Sequence, residues 1–236
     1  MPETKGRLVV DIGCGARPVF VDIEQEARSK ERLIYSTPLS RDFLAIKEGD
    51  RYIGIDRHKE SIASCKKSIK EKKWSWFDTS KISFKAGDAR SLRIATGSAD
   101  VVLLSDILSA PIPGTTPVSE PYPDETCITE GAKWAMIKEA LRILRDDGHL
   151  VIQICQTPLY AEEVMSRIQR DLLEKKRIKL VRQCGEFVKD SDNWNLYQAA
   201  FQKASGPFKG TPEVIPWTEA QKKFAIKYAA SWDSFY

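Results

Sequence analysis

At 236 residues, with 42% hydrophobic and 30% charged side chains, the chain is long enough for one large α/β domain that needs no metal or disulfide staple. A formal charge of +4 permits an anionic partner without requiring one. The five scattered cysteines, Cys14, Cys65, Cys127, Cys155 and Cys184, exclude a disulfide framework or a zinc cluster and read as free thiols in a reducing compartment.

The opening MPETKGRLVVDIGCG is too polar for a signal peptide, and no apolar run approaches the ~20 residues of a membrane span, so a cytoplasmic protein with no membrane partner is expected. The first apolar run, Leu8 to Ile12, is followed by Gly13, Cys14, Gly15 and Ala16. A strand that carries an acid, Asp11, and runs into two glycines lets the backbone turn tightly and approach a ligand with no β-carbon in the way. Taken alone, that pair is also an ordinary turn. Arg17 to Arg51 is long for one βα connection and is expected to carry one helix and a second, short one near Arg41 to Ile46.

A second run, Tyr52 to Ile55, ends in Asp56, whose carboxylate could accept two hydrogen bonds from the vicinal hydroxyls of a ribose or could cap the helix predicted over Lys59 to Lys72. A third, Ile82 to Lys85, leads to Asp88 and Ala89, and a fourth, Ala99 to Leu104, to Ser105 and Asp106. Ala110 to Thr126 holds five prolines and cannot be a regular helix or a central strand. A helix is predicted over Ile128 to Leu144, where Trp134, Ile137, Leu141 and Leu144 recur at helical spacing, with Asp146 to Gly148 as the turn before a strand from His149 to Ile154. Another helix is predicted over Leu159 to Lys176.

Ile178 to Val188 and Trp194 to Phe201 read as two extended segments joined by a hairpin, and Thr218 to Tyr236 as an amphipathic helix. The apolar runs suit strands covered on both faces. The fold class expected is therefore α/β, an open sheet, mostly parallel with an antiparallel C-terminal hairpin and helices on both faces.

VVDIGCGAR, YIGID, FKAGDARSL, ADVVLLSDIL and WAMIKEALRILRDDGHLVIQ together resemble the class I, Rossmann-like S-adenosylmethionine-dependent methyltransferases over about residues 8 to 155, and the hairpin resembles the family's sixth and seventh strands. The resemblance implies S-adenosyl-L-methionine as cofactor, S-adenosyl-L-homocysteine as product and no metal. It places Asp11, Gly13, Cys14 and Gly15 along the methionine portion, Asp56 and Arg57 at the ribose, Asp88 and Ala89 at the adenine, and Ser105 beside the methionine group and the acceptor. Asp106 is the candidate proton acceptor, with His58 a weaker one. Tyr122 and Trp134 are candidates for an aromatic acceptor wall, or for ordinary packing.

The sequence departs from the family pattern in three places. Ala16 stands where many relatives have a third glycine, which requires a negative φ there. The first connection, 17–51, is expanded, and the first strand begins with no room before it for the helical cap of many small-molecule methyltransferases. The expected organisation is a methyltransferase domain over 1–204 and an aromatic tail or helix over 205–236 packed on it. A small-molecule acceptor is favoured. RNA and protein acceptors, a noncatalytic protein on this fold and a dinucleotide-dependent dehydrogenase are the competing readings, and the oligomeric state is left open.

Overall fold

The computed structural model describes residues 6–16, 18–21, 38–71, 78–105, 107–109, 130–156, 168, 178–184, 195–203 and 213–215. Eight strands form one sheet: β1 (Leu8–Ile12), β2 (Arg51–Asp56), β3 (Ile82–Ala86), β4 (Ala99–Ser105), β5 (Leu144–Gln156), β6 (Ile178–Cys184), β7 (Asn195–Lys203) and β8 (Glu213–Ile215), in the order β3-β2-β1-β4-β5-β7-β6-β8. The strands β1 to β5 are parallel, β7 is antiparallel to both β5 and β6, and β8 returns parallel to β6. This is the mostly parallel Rossmann-like sheet expected, with two refinements: the antiparallel strand lies inside the sheet, and residues of the expected tail supply a further strand.

Every residue of β1 is buried, because the strand is central and both faces of the sheet are covered. One face packs Val10, Ile12, Val102, Leu104, Leu150 and Ile152 against the helix α3 (Glu130–Ile143) through Met136, Ile137, Ala140 and Ile143. The other packs Val9, Val101, Leu103 and Val151 with Ile62, Cys65 and Ile69 of α2 (Lys59–Glu71) and with Leu39 and Leu44 of α1 (Pro38–Leu44). Burying a side chain such as Leu39 contributes about 1.5–3 kcal/mol.

The expanded first connection thus supplies its own cover. Residues 19–21 are helical, and α1 packs on β4, β6 and β7. The short helix begins three residues earlier than its expected place, with Pro38 in the first position, where a missing N–H costs nothing. At the far end of the insertion, Arg7 closes the loop. Its Nε and Nη2 donate to Asp50 Oδ2 at 3.1 and 2.7 Å, and its remaining N–H groups reach the carbonyls of Phe43 and Ala45.

The strand β5 starts at Leu144 and not at His149: Leu144 pairs with Ala99, residues 145–148 detour, and pairing resumes at His149 opposite Val101. Asp147 in that detour takes a positive φ of 61°, the one non-glycine to do so among the described residues. On α3, Arg142 and Glu139 pin the connection into β4. The Arg142 Nη2 donates to the carbonyls of Leu92 and Ile94 at 3.0 Å each, and Glu139 Oε1 accepts from the Leu92 amide at 2.7 Å. No helix among the described residues is long and apolar enough to cross a membrane. The segments 110–126, 159–167, 169–176 and 216–236 lie outside the described residues.

Candidate functional site

Parallel register brings the carboxyl ends of four strands to one edge of the sheet: Ile12 pairs with Ile55 and with Leu104, and Asp56 with Ala86. Gly13 and its neighbours therefore emerge between Asp56 and Ser105. With strands about 4.8 Å apart, the edge from β3 to β4 spans roughly 14 Å, the scale of an extended nucleoside carrying an amino-acid arm.

The turn after β1 is built from two glycines in the left-handed region, Gly13 at φ 79° and Gly15 at φ 57°. The amides of Gly13 and Cys14 both donate to the Ile55 carbonyl, at 2.8 and 3.2 Å, which holds the turn against the end of β2. A β-carbon on Gly13 would meet Ile107 Cβ at 3.1 Å, whereas one on Gly15 would meet nothing within 4 Å and would project into open space. Ala16 keeps a negative φ, as the pattern required.

The Asp56 carboxylate spans this turn. Its Oδ2 accepts from the Gly15 amide at 3.0 Å and its Oδ1 from the His58 amide at 2.8 Å. Each oxygen of an ionised carboxylate can accept about two hydrogen bonds, so each retains one acceptor position for a vicinal diol. The residues present therefore fit a ribose beside the open space at Gly15. Through the His58 amide it also organises the entry to α2, which is the capping role expected of it.

Asp88 lies two residues beyond β3 and is exposed, but Arg90 saturates its carboxylate. Oδ1 accepts from the Arg90 amide and Nε at 2.8 and 2.9 Å, and Oδ2 from Nε and Nη2 at 3.0 and 2.6 Å. The Arg90 guanidinium holds that carboxyl below its usual range. To accept from an adenine amino group, Asp88 must shed part of this fork. Ala89 is buried against the core under the sheet.

Other expected residues fall elsewhere. Asp11 is fully buried within β1, where its Oδ2 accepts a short bond from the Tyr52 hydroxyl. Burial and the Asp11 charge push the Tyr52 hydroxyl well above its ordinary pKa. The Cys14 side chain points away from the edge into the second core cluster. There both it and Cys65 Sγ lie near the Gly15 carbonyl, at 3.7 and 3.2 Å, and the bond to Cys65 with burial pushes the Cys14 thiol up.

Arg57 and His58 are exposed and touch one another, with Arg57 Nε donating to His58 Nε2 at 3.0 Å. Trp134 packs, half-buried, against the first core cluster. Its position is that of ordinary packing. His149 lies in β5 with its ring 4.7 Å from that of Phe43, a packing role. Asp106 and Tyr122 lie outside the described residues.

Three residues escaped the sequence reading: Tyr52, near the amino end of β2, and Gln153 and Gln198, level with Ser105 at this edge. Gln198 Nε2 donates to Gln153 Oε1 at 2.8 Å, and Gln153 Nε2 donates to Ser105 Oγ at 3.2 Å, all within the sheet. Only strand register reveals such a row.

The family model described as a methyltransferase domain matches residues 3–205. Among solved structures, a SAM-dependent methyltransferase from Methanosarcina mazei is similar at 16% identity and a TM-score of 0.51, over 85% of this chain and 94% of that one. The N-methyltransferase NodS from Bradyrhizobium japonicum is similar at 14% identity and 0.50, over 84% and 86%. A Streptococcus mutans protein in complex with SAH is similar at 8% identity and 0.50, over 84% and 89%. Among curated proteins, none matches the sequence.

Proposed function

We propose, for a chain that belongs to the methyltransferase-domain family and is a Rossmann-like, S-adenosylmethionine-dependent methyltransferase, that the methyl acceptor is a small molecule. The bound sulfonium supplies an electrophilic methyl carbon, and transfer is an in-line displacement that an enzyme promotes chiefly by holding the nucleophile in line at close range. Toward that end Asp56 would bind the ribose diol with the acceptor position left on each oxygen. The Gly13 to Gly15 turn would admit the ligand's backbone-side approach, Asp88 and Ala89 would border the adenine, and Asp11 would hold the turn from beneath through β1. Asp106, next after Ser105, is the proposed proton acceptor where the attacking atom still carries a proton.

The observation that carries the acceptor class is the placement of positive charge. Lys66, Lys67 and Lys70 form the basic run of α2, and that helix starts at the cofactor edge and runs away from it between two parallel strands. At 1.5 Å per residue, these lysines lie about 10–16 Å down the helix from its first turn. Lys67 also faces Glu71 at 3.8 Å. At the edge itself, Arg90 is committed to Asp88. A phosphate backbone is held by a cluster of cations, and the described cluster, that of α2, lies away from the edge, where Arg57 and Lys59 stand at the entry to the helix and Arg90 is paired.

The test is transfer from labelled S-adenosylmethionine into mixtures of small amines, phenols and thiols, into tRNA, and into protein extract. Label confined to the low-mass fraction is expected. Label in tRNA or protein would overturn the small-molecule reading, and failure to bind S-adenosylhomocysteine would favour a noncatalytic protein.

A further inference from the structure

Ser105, Gln153 and Gln198 stand side by side on β4, β5 and β7, where register pairs Ser105 with Gln153 and Gln153 with Gln198. Their exposures are 9%, 0% and 0%, on a face otherwise lined by Val101, Leu103, Val151 and Ala200. Burying two amides there costs free energy that their mutual bonds offset only in part, so apolar side chains would serve packing better.

The row has a direction. Gln198 gives an N–H to the Gln153 carbonyl, which turns the Gln153 amino group toward Ser105 and makes the Ser105 oxygen an acceptor. A hydroxyl that accepts from one side has its hydrogen to donate on another. Among the described residues no acceptor takes it. Ser105 ends β4, and its carbonyl oxygen would lie 3.4 Å from a β-carbon on Gly13, so the residue sits against the glycine turn. It is also at the opposite end of the edge from Asp88, with Asp56 between them.

We propose that Gln153 and Gln198 are positioning residues that hold the Ser105 hydroxyl as a hydrogen-bond donor to the carboxylate of the cofactor's amino-acid arm. The inference rests on the cofactor reading above and extends it. With the adenine at Asp88 and the ribose at Asp56, the arm falls at β1 and β4, and its two charged ends make opposite demands. An ammonium only donates and cannot use the Ser105 hydrogen; a carboxylate only accepts and can.

The experiment compares S-adenosylhomocysteine with 5′-methylthioadenosine, which keeps the nucleoside and thioether but lacks the amino-acid arm. Titration calorimetry is run on the wild-type protein, Ser105→Ala, Gln153→Leu and the double variant, with thermal unfolding to confirm folding. Gln153→Met, unbranched like glutamine, replaces Gln153→Leu if the latter does not fold. Each single change is expected to weaken S-adenosylhomocysteine roughly tenfold to a hundredfold and methylthioadenosine less than about twofold. The double variant is expected to be no weaker than Ser105→Ala, since both changes remove one interaction. Equal losses for both ligands, no loss for either, or additive losses in the double variant would overturn the positioning role. Wild-type protein that binds neither ligand would overturn the cofactor assignment of this edge itself, a result distinguishable from the other three.

Discussion

Gly15 donates its amide to the Asp56 carboxylate at 3.0 Å across 41 positions of sequence, so the turn after β1 and the acid at the end of β2 form one unit. Asp56 therefore has two duties, shaping the turn and offering acceptors to a ribose. Asp56→Ala removes both. The variant is expected to fold, as judged by circular dichroism, and to bind S-adenosylhomocysteine more weakly by about 2–4 kcal/mol, the loss of two charge-assisted bonds. Unchanged affinity by calorimetry would exclude Asp56 from the ribose.

The open space beyond Gly15 separates backbone strain from ligand exclusion. In Gly15→Ala the new methyl meets no protein atom, and the cost to folding is the left-handed conformation alone, about 1–2 kcal/mol. A ligand lying in that space would meet the methyl directly. We expect a drop of a few degrees in Tm alongside loss of S-adenosylhomocysteine binding by more than tenfold. Gly13→Val is a poorer probe, because φ 79° and the 3.1 Å approach to Ile107 Cβ strain the free protein as well. Native affinity in Gly15→Ala would move the ligand off this turn.

What could be read from sequence was whatever is local in the chain. Leu8 to Ile12, apolar but for Asp11, announced a strand covered on both faces, and the acids at Asp56 and Asp88 could be counted off the ends of such runs. What could not be read depends on partners far away in sequence. Gln153 and Gln198 look like alternating polar residues of half-exposed strands until register places them together in the interior. The start of β5 was obscured because Leu144 continues the helical spacing of Leu141, although its pairing with Ala99 makes it a strand residue. Tyr52 reads as an ordinary aromatic strand position, and only its depth beneath the sheet shows its hydroxyl committed to Asp11. Arg90 was passed over although it lies two residues from Asp88, because a fork onto a neighbour depends on the turn between them.

His149 gives the fold a dependence on mildly acid pH. Burial lowers its pKa from 6.5, and the charges of Lys179 and Arg145 lower it further, against a weaker opposing effect of Asp147. Its ring packs on Phe43, whose other contacts include the Arg182 guanidinium 5.9 Å from the ring centre, with Arg182 paired to Asp42. The unfolded chain takes up the proton first as pH falls, so the contribution of neutral His149 is present above 6.5 and lost between there and the lower native value. His149→Phe keeps a ring against Phe43 and removes the titration. Thermal unfolding between pH 7.5 and about pH 5 is expected to show a shallower fall in Tm for the variant than for the wild type; parallel curves would assign the acid sensitivity to another group.

Tyr52 and Asp11 set the corresponding limit on the alkaline side. Burial and the Asp11 carboxylate push the Tyr52 hydroxyl well above its ordinary value of 10.0, so the native state keeps the proton after an unfolded tyrosine would have lost it. The stability this contributes is whole below pH 10.0 and is lost progressively as pH rises from there through the native value, because the unfolded chain then binds fewer protons than the native one. Tyr52→Phe removes the ionisation together with the donor to a buried carboxylate. At neutral pH the missing donor is expected to cost about 1–3 kcal/mol, read from denaturant unfolding. Above pH 10 the variant should lose stability less steeply than the wild type, so that the two curves converge. A constant gap between them through that range would show that Tyr52 ionises without opposition from Asp11, and a variant as stable as the wild type at neutral pH would show that the bond from Tyr52 to Asp11 adds nothing to stability.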